Sequence, residues 1–245
     1  MTDRPVGLTR RDLLRLGLVA APASLAACGW TGGPLLEPKL RAFSRINDWL
    51  GEKVLLSPAR LAKQHPLSAR TDPANFPAYS IAFNRTRKFP APDVPASWTL
   101  QVGGLVRKPL RLTREVIETL PRVTYTVKHY CVEGWTAIAT WAGVPLSAIA
   151  AMVEPTADAR YLRFDSFDAG YYNGWDLKSA MHPQTILAYG FNDRRLMMSH
   201  GAPLRLYSPI KLGYKLTKYL TGMTFTRERP GGYWEDQGYP WFGGV

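Results

Sequence analysis

Hydrophobic and polar residues alternate along several stretches of the chain. Val123, Tyr125 and Val127 alternate with polar side chains over residues 123–128, which is the period-two pattern of a strand with one buried face. Glycine and aromatic residues predict a loop over residues 170–175. The alternation predicts further strands over residues 98–104, 160–168 and 204–207.

Apolar residues recur at helical spacing in other stretches. They predict a surface helix over residues 37–50. Thr113 can cap a short helix over residues 114–120. A third helix is predicted over residues 145–153, with Pro145 in its first turn. The residues of this helix expected to face inward are Leu146, Ile149, Ala150 and Val153.

A proline-rich stretch precedes most of these elements. Its prolines stand at positions 66, 73, 77, 90, 92 and 95. This spacing excludes long regular elements and predicts an extended arm that wraps a globular body. The chain is 46% hydrophobic and 12% aromatic, which is enough for a sizeable core. We therefore predict a mixed α+β fold, mainly β, in a single domain.

The N-terminal stretch has the features of an export signal. Arg10 and Arg11 precede an apolar run over residues 16–27, as in a twin-arginine signal peptide. Residues 25–28 resemble a bacterial lipobox, in which Cys28 becomes lipidated; simple cleavage to an unlipidated form is the alternative. The apolar run is too short to span a bilayer. We expect a periplasmic protein that contacts the membrane peripherally if a lipid anchor is added.

The chain is strongly basic, with a formal net charge of +12. In an exported protein such an excess favours an anionic lipid surface, an anionic substrate or a phosphate-bearing cofactor over nucleic acid. Scattered lysines and arginines that only solvate the surface are the alternative.

Cys131 has no obvious partner, because the other cysteine, Cys28, belongs to the signal. A lone cysteine is often a small buried apolar residue. An unpaired thiol in an oxidising compartment nevertheless calls for a specific role. We interpret it as a metal ligand, with nucleophilic catalysis assisted by His129 or His200 as an alternative.

Two clusters of polar and basic residues stand out in the chain. Arg205 and Lys218 suit a phosphate, since guanidinium offers a two-pronged donor and ammonium a point charge. A basic strand pair facing solvent is the alternative. The second cluster lies in the proline-rich arm, where a solvated loop is the alternative, and contains Asn84, Arg87 and Lys88.

Three motifs occur in the order of a known family. They are Cys-Val-Glu-Gly-Trp at 131–135, His-Gly-Ala-Pro-Leu-Arg at 200–205 and Lys-Leu-Gly-Tyr-Lys-Leu-Thr-Lys at 211–218. With the export signal, they resemble the molybdopterin-binding domain of the sulfite oxidase superfamily, and within it the bacterial periplasmic methionine sulfoxide reductase catalytic subunits. The resemblance implies a signal with lipobox at 1–28, a helix and linker at 29–74, a molybdopterin-binding oxidoreductase domain at 75–230 and an aromatic tail at 231–245.

The resemblance also implies roles for individual residues. Cys131 would be the thiolate ligand of molybdenum, in one Mo-molybdopterin per chain and without haem. Glu133 and Tyr130 are expected beside the metal as catalytic residues. The remaining residues implied to contact the cofactor are Asn84, Arg87, Lys88, Ser166, His200, Arg205, Leu216, Thr217 and Lys218.

Some positions depart from the family pattern. His200 matches the sulfite oxidases, whereas the sulfoxide reductases carry asparagine there. Thr136 stands where sulfite oxidases have an arginine, which disfavours sulfite as the substrate. Arg87 and Lys88 replace aromatic and acidic residues of the reductases, so we expect a more basic substrate pocket.

The implied activity is two-electron oxygen-atom transfer. The expected reaction reduces a sulfoxide such as methionine sulfoxide, free or protein-bound, or a related S- or N-oxide. The alternatives are oxidation of a small anion, as in sulfite oxidases, a cofactor-free anion-binding lipoprotein and a cysteine-nucleophile enzyme. A separate electron-transfer partner of the membrane cytochrome b kind is expected. We also expect a monomer, because the chain has no immunoglobulin-like dimerisation domain.

Overall fold

The computed structural model describes residues 46, 48–51, 61–80, 82, 97–168 and 170–245. The strands are β1 (Thr99–Gly104), β2 (Leu110–Thr113), β3 (Val123–Tyr130), β4 (Thr136–Pro145), β5 (Tyr161–Ser166), β6 (Tyr172–Asp176), β7 (Ile186–Phe191), β8 (Arg194–Arg195), β9 (Arg205–Tyr207) and β10 (Leu220–Thr226). The helices are α1 (Arg114–Thr119), α2 (Leu146–Val153) and α3 (Leu177–Ala180).

The strands form two sheets. The first has the order β2-β1-β10-β5-β6. In it β1 and β10 are parallel, while the other neighbours are antiparallel. The second has the order β3-β4-β7-β8, with β9 also paired to β7, and all of its pairs are antiparallel. The described residues belong to one compact unit, Ser44–Val245. The predicted mixed, mainly β fold is confirmed.

Several elements lie where the patterns predict them. β3 continues to Tyr130, so Cys131 follows the strand directly. Thr113 caps α1, and its hydroxyl accepts a hydrogen bond from Val116 N at 3.4 Å. In α2, all four residues predicted to face inward are buried. Pro145 precedes this helix as its N-cap residue and does not lie in its first turn.

The loop predicted over residues 170–175 is wrong for residues 172–175, which belong to β6. This strand pairs with β5, and consecutive residues from 173 to 176 are buried. A strand covered on both faces shows no alternation of hydrophobic and polar residues. Gly174 is needed there, because a Cβ would lie 2.7 Å from the carbonyl oxygen of Gly231.

Several sequence predictions fall outside the described residues. They include the export signal with Cys28 and most of the helix predicted over residues 37–50, of which residues 46 and 48–50 are helical. The arm cluster also lies outside, namely Asn84, Arg87 and Lys88.

No helix within the described ranges is both long enough and apolar enough to cross a membrane.

The C-terminal segment packs against the body of the domain. Lys215 forms a buried salt bridge with Glu235. Lys211 Nζ donates to Phe242 O at 2.6 Å, and Asp48 Oδ1 accepts from Phe242 N at 2.8 Å. Residues 231–245, which the sequence predicts to be a tail, are therefore held against the domain by buried charged groups.

Gly143 lies where β4 and β7 approach each other at a shift in register. A Cβ at this position would lie 2.0 Å from Leu187 O and 2.7 Å from Ala188 Cα, both of them backbone atoms. We expect Gly143→Ala to lower the free energy of unfolding by about 3 kcal/mol, because the strands must separate to admit the methyl group. Urea denaturation followed by circular dichroism measures this change.

Gly103→Ala in β1 is the matched control, since no atom of the described residues lies within 4 Å of its added Cβ. Equal destabilisation by the two substitutions would contradict the proposed steric role of Gly143.

Candidate active site

A cavity of about 330 Å³ brings together residues that are distant in the chain. The loop after β3 contributes the thiol of Cys131, the carboxylate of Glu133 and the indole of Trp135. A second group, which we call the basic end, consists of His200, Arg205 and Lys218. A cysteine thiol and a set of basic side chains thus face one cavity.

Cys131 is presented by a tight loop at the end of β3. Its backbone N–H donates to Trp135 O at 3.0 Å, and the N–H of Gly134 donates to Cys131 O at 3.1 Å. Gly134 has φ +91°, a left-handed conformation that glycine adopts readily. The half-buried thiol lies 3.7 Å from the Glu133 carboxylate, which accepts from Trp135 Nε1 at 2.9 Å. The loop therefore fixes the carboxylate beside the sulfur.

His129 is buried two residues before the cysteine. Its ring stacks on Tyr207 at 6.2 Å between centroids, and its Nδ1 has no hydrogen-bond partner among the described residues. Burial lowers the pKa of His129 to about 3, so the imidazole is neutral. Burial also raises the pKa of the Cys131 thiol above its ordinary value. Activated cysteine nucleophiles require the opposite, a lowered thiol pKa and a basic partner.

Arg205 begins β9 and is buried. Its Nη1 donates to His200 O at 2.9 Å and its Nη2 to Leu216 O at 3.3 Å. The guanidinium carbon lies 4.7 Å from the ring centre of Trp141. Burial lowers the pKa of Arg205 to about 10, which leaves it charged at neutral pH. Its hydrogen bonds go to backbone carbonyls, and no carboxylate in the described part of the chain pairs with it.

Lys218 forms the other cation of the basic end. Its Nζ donates to Tyr79 O and to Ser199 O, both at 2.7 Å. Burial, reinforced by a neighbouring cation, lowers the pKa of Lys218 well below its ordinary value. Ser166 Oγ donates to Lys218 O at 2.7 Å and so fixes the backbone there. Gly201, at φ +103°, packs so closely that a Cβ would lie 2.8 Å from Lys218 Cβ.

The third member of the basic end, His200, is neutral. It stacks on Phe191 at 4.4 Å and packs against Phe76 at 5.1 Å between centroids. Burial, with repulsion from Lys218 and Arg205, lowers the pKa of His200 to about 3. At neutral pH the guanidinium of Arg205 therefore supplies positive charge to the basic end.

The basic end is suited to an anion. Asp168 also lines the cavity, where its Oδ1 accepts from Ala82 N at 2.8 Å and its negative charge partly offsets the effect of burial on the pKa of Lys218. The buried hydroxyl of Thr217, next to Lys218 in the chain, has no hydrogen-bond partner within the described residues. Buried cations and unpaired donors are costly unless a ligand compensates for them. A phosphate-bearing group would supply that compensation.

The structure brings most of the sequence-predicted site residues to this cavity. Those that line it are Cys131, Glu133, Ser166, His200, Arg205, Leu216 and Lys218. Tyr130 and Thr217 are not among the lining residues, and their roles stay predictions. The alternation along β3 explains why Tyr130 does not line the cavity. Successive side chains of a strand point to opposite faces, and the buried neighbour His129 takes the face toward the cavity.

The cavity also has lining residues that the sequence patterns did not indicate. They are aromatic and come from the arm, the loop before β6 and the C-terminal segment: Phe76, Tyr79, Tyr171, Trp234 and Tyr239. No local pattern marks them, since each belongs to a stretch without regular periodicity. These aromatic residues are identified only by the tertiary structure, which brings their segments together around one cavity.

The chain is similar to known proteins over most of its length. A family model described as "Oxidoreductase molybdopterin binding domain" matches residues 88–234. The chain is 39% identical over 236 residues to a putative protein-methionine-sulfoxide reductase subunit YedZ1 of Azospira oryzae, covering 96% of this chain and 87% of that protein. It is 28% identical over 242 residues to the protein-methionine-sulfoxide reductase catalytic subunit MsrP of Campylobacter jejuni, covering 92% of this chain and 76% of that protein.

Among solved structures, the chain resembles the sulfane dehydrogenase SoxCD from Paracoccus pantotrophus. The TM-score is 0.52 at 21% identity, and the match covers 70% of this chain and 46% of that chain. At this identity the similarity shows a shared fold only. The family to which the chain belongs is shown by the family model and by the relative that is 39% identical. The chain belongs to the oxidoreductase molybdopterin-binding domain family, within the sulfite oxidase superfamily.

Proposed function

We propose that this protein is a periplasmic molybdenum-molybdopterin oxidoreductase that reduces a sulfoxide, with methionine sulfoxide as the first candidate. The observation that carries the proposal is a single cavity holding both the free thiol of Cys131 and two basic side chains, the buried Arg205 and the half-buried Lys218. The names of two relatives, both protein-methionine-sulfoxide reductases, support this choice of substrate.

The residues present fit this cofactor. Thiolate is a suitable ligand for a transition metal such as molybdenum, and Cys131 would supply it. Arg205 and Lys218 would hold the phosphate of the pterin, because both basic side chains line the cavity and their hydrogen bonds among the described residues go to backbone carbonyls. Thr217 does not line the cavity, and its contact with the cofactor stays a prediction from the family resemblance. Ser166 acts indirectly by fixing the backbone of Lys218.

When bound, the cofactor supplies two-electron oxygen-atom-transfer chemistry. Reduction of a sulfoxide consumes two electrons and two protons, and releases a thioether and water. The chain positions the substrate and shields it from bulk water. The rings of Phe76 and Trp135, which line the cavity, contribute to this shielding. Trp135 holds the Glu133 carboxylate in the orientation that faces the cavity, where it can accept hydrogen bonds from water or substrate.

The competing functions fit the site less well. A cysteine nucleophile lacks an activating base, since His129 is neutral and the thiol pKa is raised. A cofactor-free binding protein leaves Arg205 buried without a carboxylate partner among the described residues. Oxidation of a small anion lacks an arginine at position 136, and Thr136 does not line the cavity.

The same proposal extends to location and partners. Residues 1–28 would direct export by the twin-arginine route, with Cys28 as the lipid attachment point. Electrons would come from a separate haem protein of the cytochrome b kind, near which a lipid anchor would hold the enzyme. The domain at 75–230 would work as a monomer with one cofactor.

We expect purified protein from a molybdopterin-producing host to contain stoichiometric molybdenum and pterin. Reduced methyl viologen should be oxidised when methionine sulfoxide is added, with two viologens consumed for each methionine formed. Elemental analysis, pterin fluorescence after oxidation and chromatography of methionine measure the three quantities.

Other outcomes would replace the proposal. Activity that is molybdenum-free but sensitive to thiol alkylation would indicate a cysteine nucleophile. Sulfite-dependent reduction of ferricyanide, without sulfoxide turnover, would indicate anion oxidation.

A further inference from the structure

Three aromatic residues, Tyr79, Trp234 and Tyr239, form one wall of the cavity, which we call the aromatic wall. Trp234 lies 6.0 Å from Tyr79 and 5.2 Å from Tyr239 between ring centroids. Tyr79 is exposed, while the other two are half-buried. Two of the three rings come from the C-terminal segment, beyond the three motifs found in the sequence.

The C-terminal part of this wall is held rigidly. Glu235, next to Trp234, forms a buried salt bridge with Lys215. Tyr214 Oη donates to Pro240 O at 2.6 Å, next to Tyr239. Tyr214 and Lys215 both belong to the last of the three sequence motifs, residues 211–218. They thus hold in place the segment that carries Trp234 and Tyr239. A wall fixed in this way needs little reorganisation to contact a ligand.

The wall reaches the side of the cavity near the cysteine. Gly213 lies against the β3 end, since a Cβ there would be 3.0 Å from His129 Nε2 and 3.5 Å from Tyr130 O. Its neighbour Tyr214 packs edge-on against Tyr239 at 5.3 Å between centroids. A continuous set of contacts therefore connects the residues just before the thiol with the aromatic wall.

The wall also carries unused hydrogen-bond donors. Neither the indole N–H of Trp234 nor the hydroxyl of Tyr239 donates to another group within the described residues. Flat apolar faces combined with free N–H and O–H groups match a ligand with carbon substituents around one strong acceptor. A sulfoxide has this combination, because its oxygen accepts hydrogen bonds while its sulfur and carbons pack on rings.

We propose that Trp234 and Tyr239 position the substrate, packing on the carbon groups attached to its sulfur and donating to its oxygen. This inference rests on the proposed function. It assigns substrate selection to the C-terminal segment, and it predicts a preference for sulfoxides with a bulky apolar or aromatic substituent over dimethyl sulfoxide.

The test compares Trp234→Ala and Trp234→Phe with the wild-type holoenzyme. We expect Trp234→Ala to raise the KM for methyl phenyl sulfoxide about tenfold, with a smaller change in kcat, because one ring contact is lost. The KM for dimethyl sulfoxide should change less. Trp234→Phe keeps an aromatic face and should recover most of the lost affinity. Molybdenum and pterin contents should remain at the wild-type level.

A binding measurement that needs no turnover accompanies the kinetics. Calorimetric titration with methyl phenyl sulfone, which keeps the ring and the S–O acceptor, should show the same weakening in Trp234→Ala. Gln237→Ala is the control, since this exposed residue of the same segment does not line the cavity. Tyr239→Leu provides the same test if Trp234→Ala does not fold.

The outcomes separate the two proposals. A wild-type enzyme that reduces no sulfoxide overturns both the proposed function and this inference. A wild-type enzyme that reduces sulfoxides, with unchanged KM and sulfone affinity in the variants, overturns the inference alone. Loss of molybdenum and pterin in Trp234→Ala would show that the wall holds the cofactor, and this too would overturn it.

Discussion

Cys131→Ser is expected to abolish sulfoxide reduction and to remove molybdenum from the purified protein. The substitution replaces a soft sulfur ligand with a poorly ionised hydroxyl, which is a weak partner for the metal. We expect activity to fall by at least about a hundredfold, since even outer partners of metal ligands are worth about 10- to 100-fold. Viologen oxidation and elemental analysis of the same sample measure both effects.

Thr124→Ser is the matched control for this substitution. Thr124 is an exposed residue of the same strand, β3, and does not line the cavity. The fold of both variants should be unchanged, because Cys131 is only half-buried and serine is slightly smaller. Full activity with full molybdenum content in Cys131→Ser would refute the assignment of Cys131 as the metal ligand.

Arg205→Met is expected to reduce cofactor content while leaving a folded protein. Methionine has a similar length and fills the space beside Trp141, but it cannot donate to an anion. We expect cofactor affinity to fall roughly tenfold to a hundredfold, since hydrogen bonds to charged groups are worth about 1.5–3 kcal/mol. Pterin content after extended dialysis, with circular dichroism as the check of folding, measures the loss.

Arg111→Met is the control, because this exposed arginine of β2 lies outside the cavity. Lys218→Met tests the second cation independently if Arg205→Met fails to fold. Retention of the wild-type pterin content in both cavity variants would mean that the basic end does not hold the phosphate.

The local elements were predictable where a strand or helix has one buried face. β3, α1 and α2 are examples, because each has a periodic sequence that reports its own burial. β4 and β6 did not give such a signal. Consecutive residues of both strands are buried, so their sequences resemble a loop or an apolar run more than an alternating strand.

The candidate site was predictable in part for a different reason. Cys131, Arg205 and Lys218 have unusual chemistry for an exported protein, and they stand in motifs that occur in a fixed order. Their types suggested a metal and a phosphate before any contact was known. The aromatic residues Trp234 and Tyr239 gave no such signal, since aromatic residues near a chain end are common.

The amino-acid order alone thus indicated the strand-rich class, the family and the residues that carry charge or sulfur. Tertiary structure decided which of them share a cavity. β10 lies between β1 and β5, and the C-terminal segment is fastened by Lys215, so stretches near residues 79, 131, 205 and 234 meet in space. Such contacts join residues far apart in sequence, and local periodicity contains no information about them.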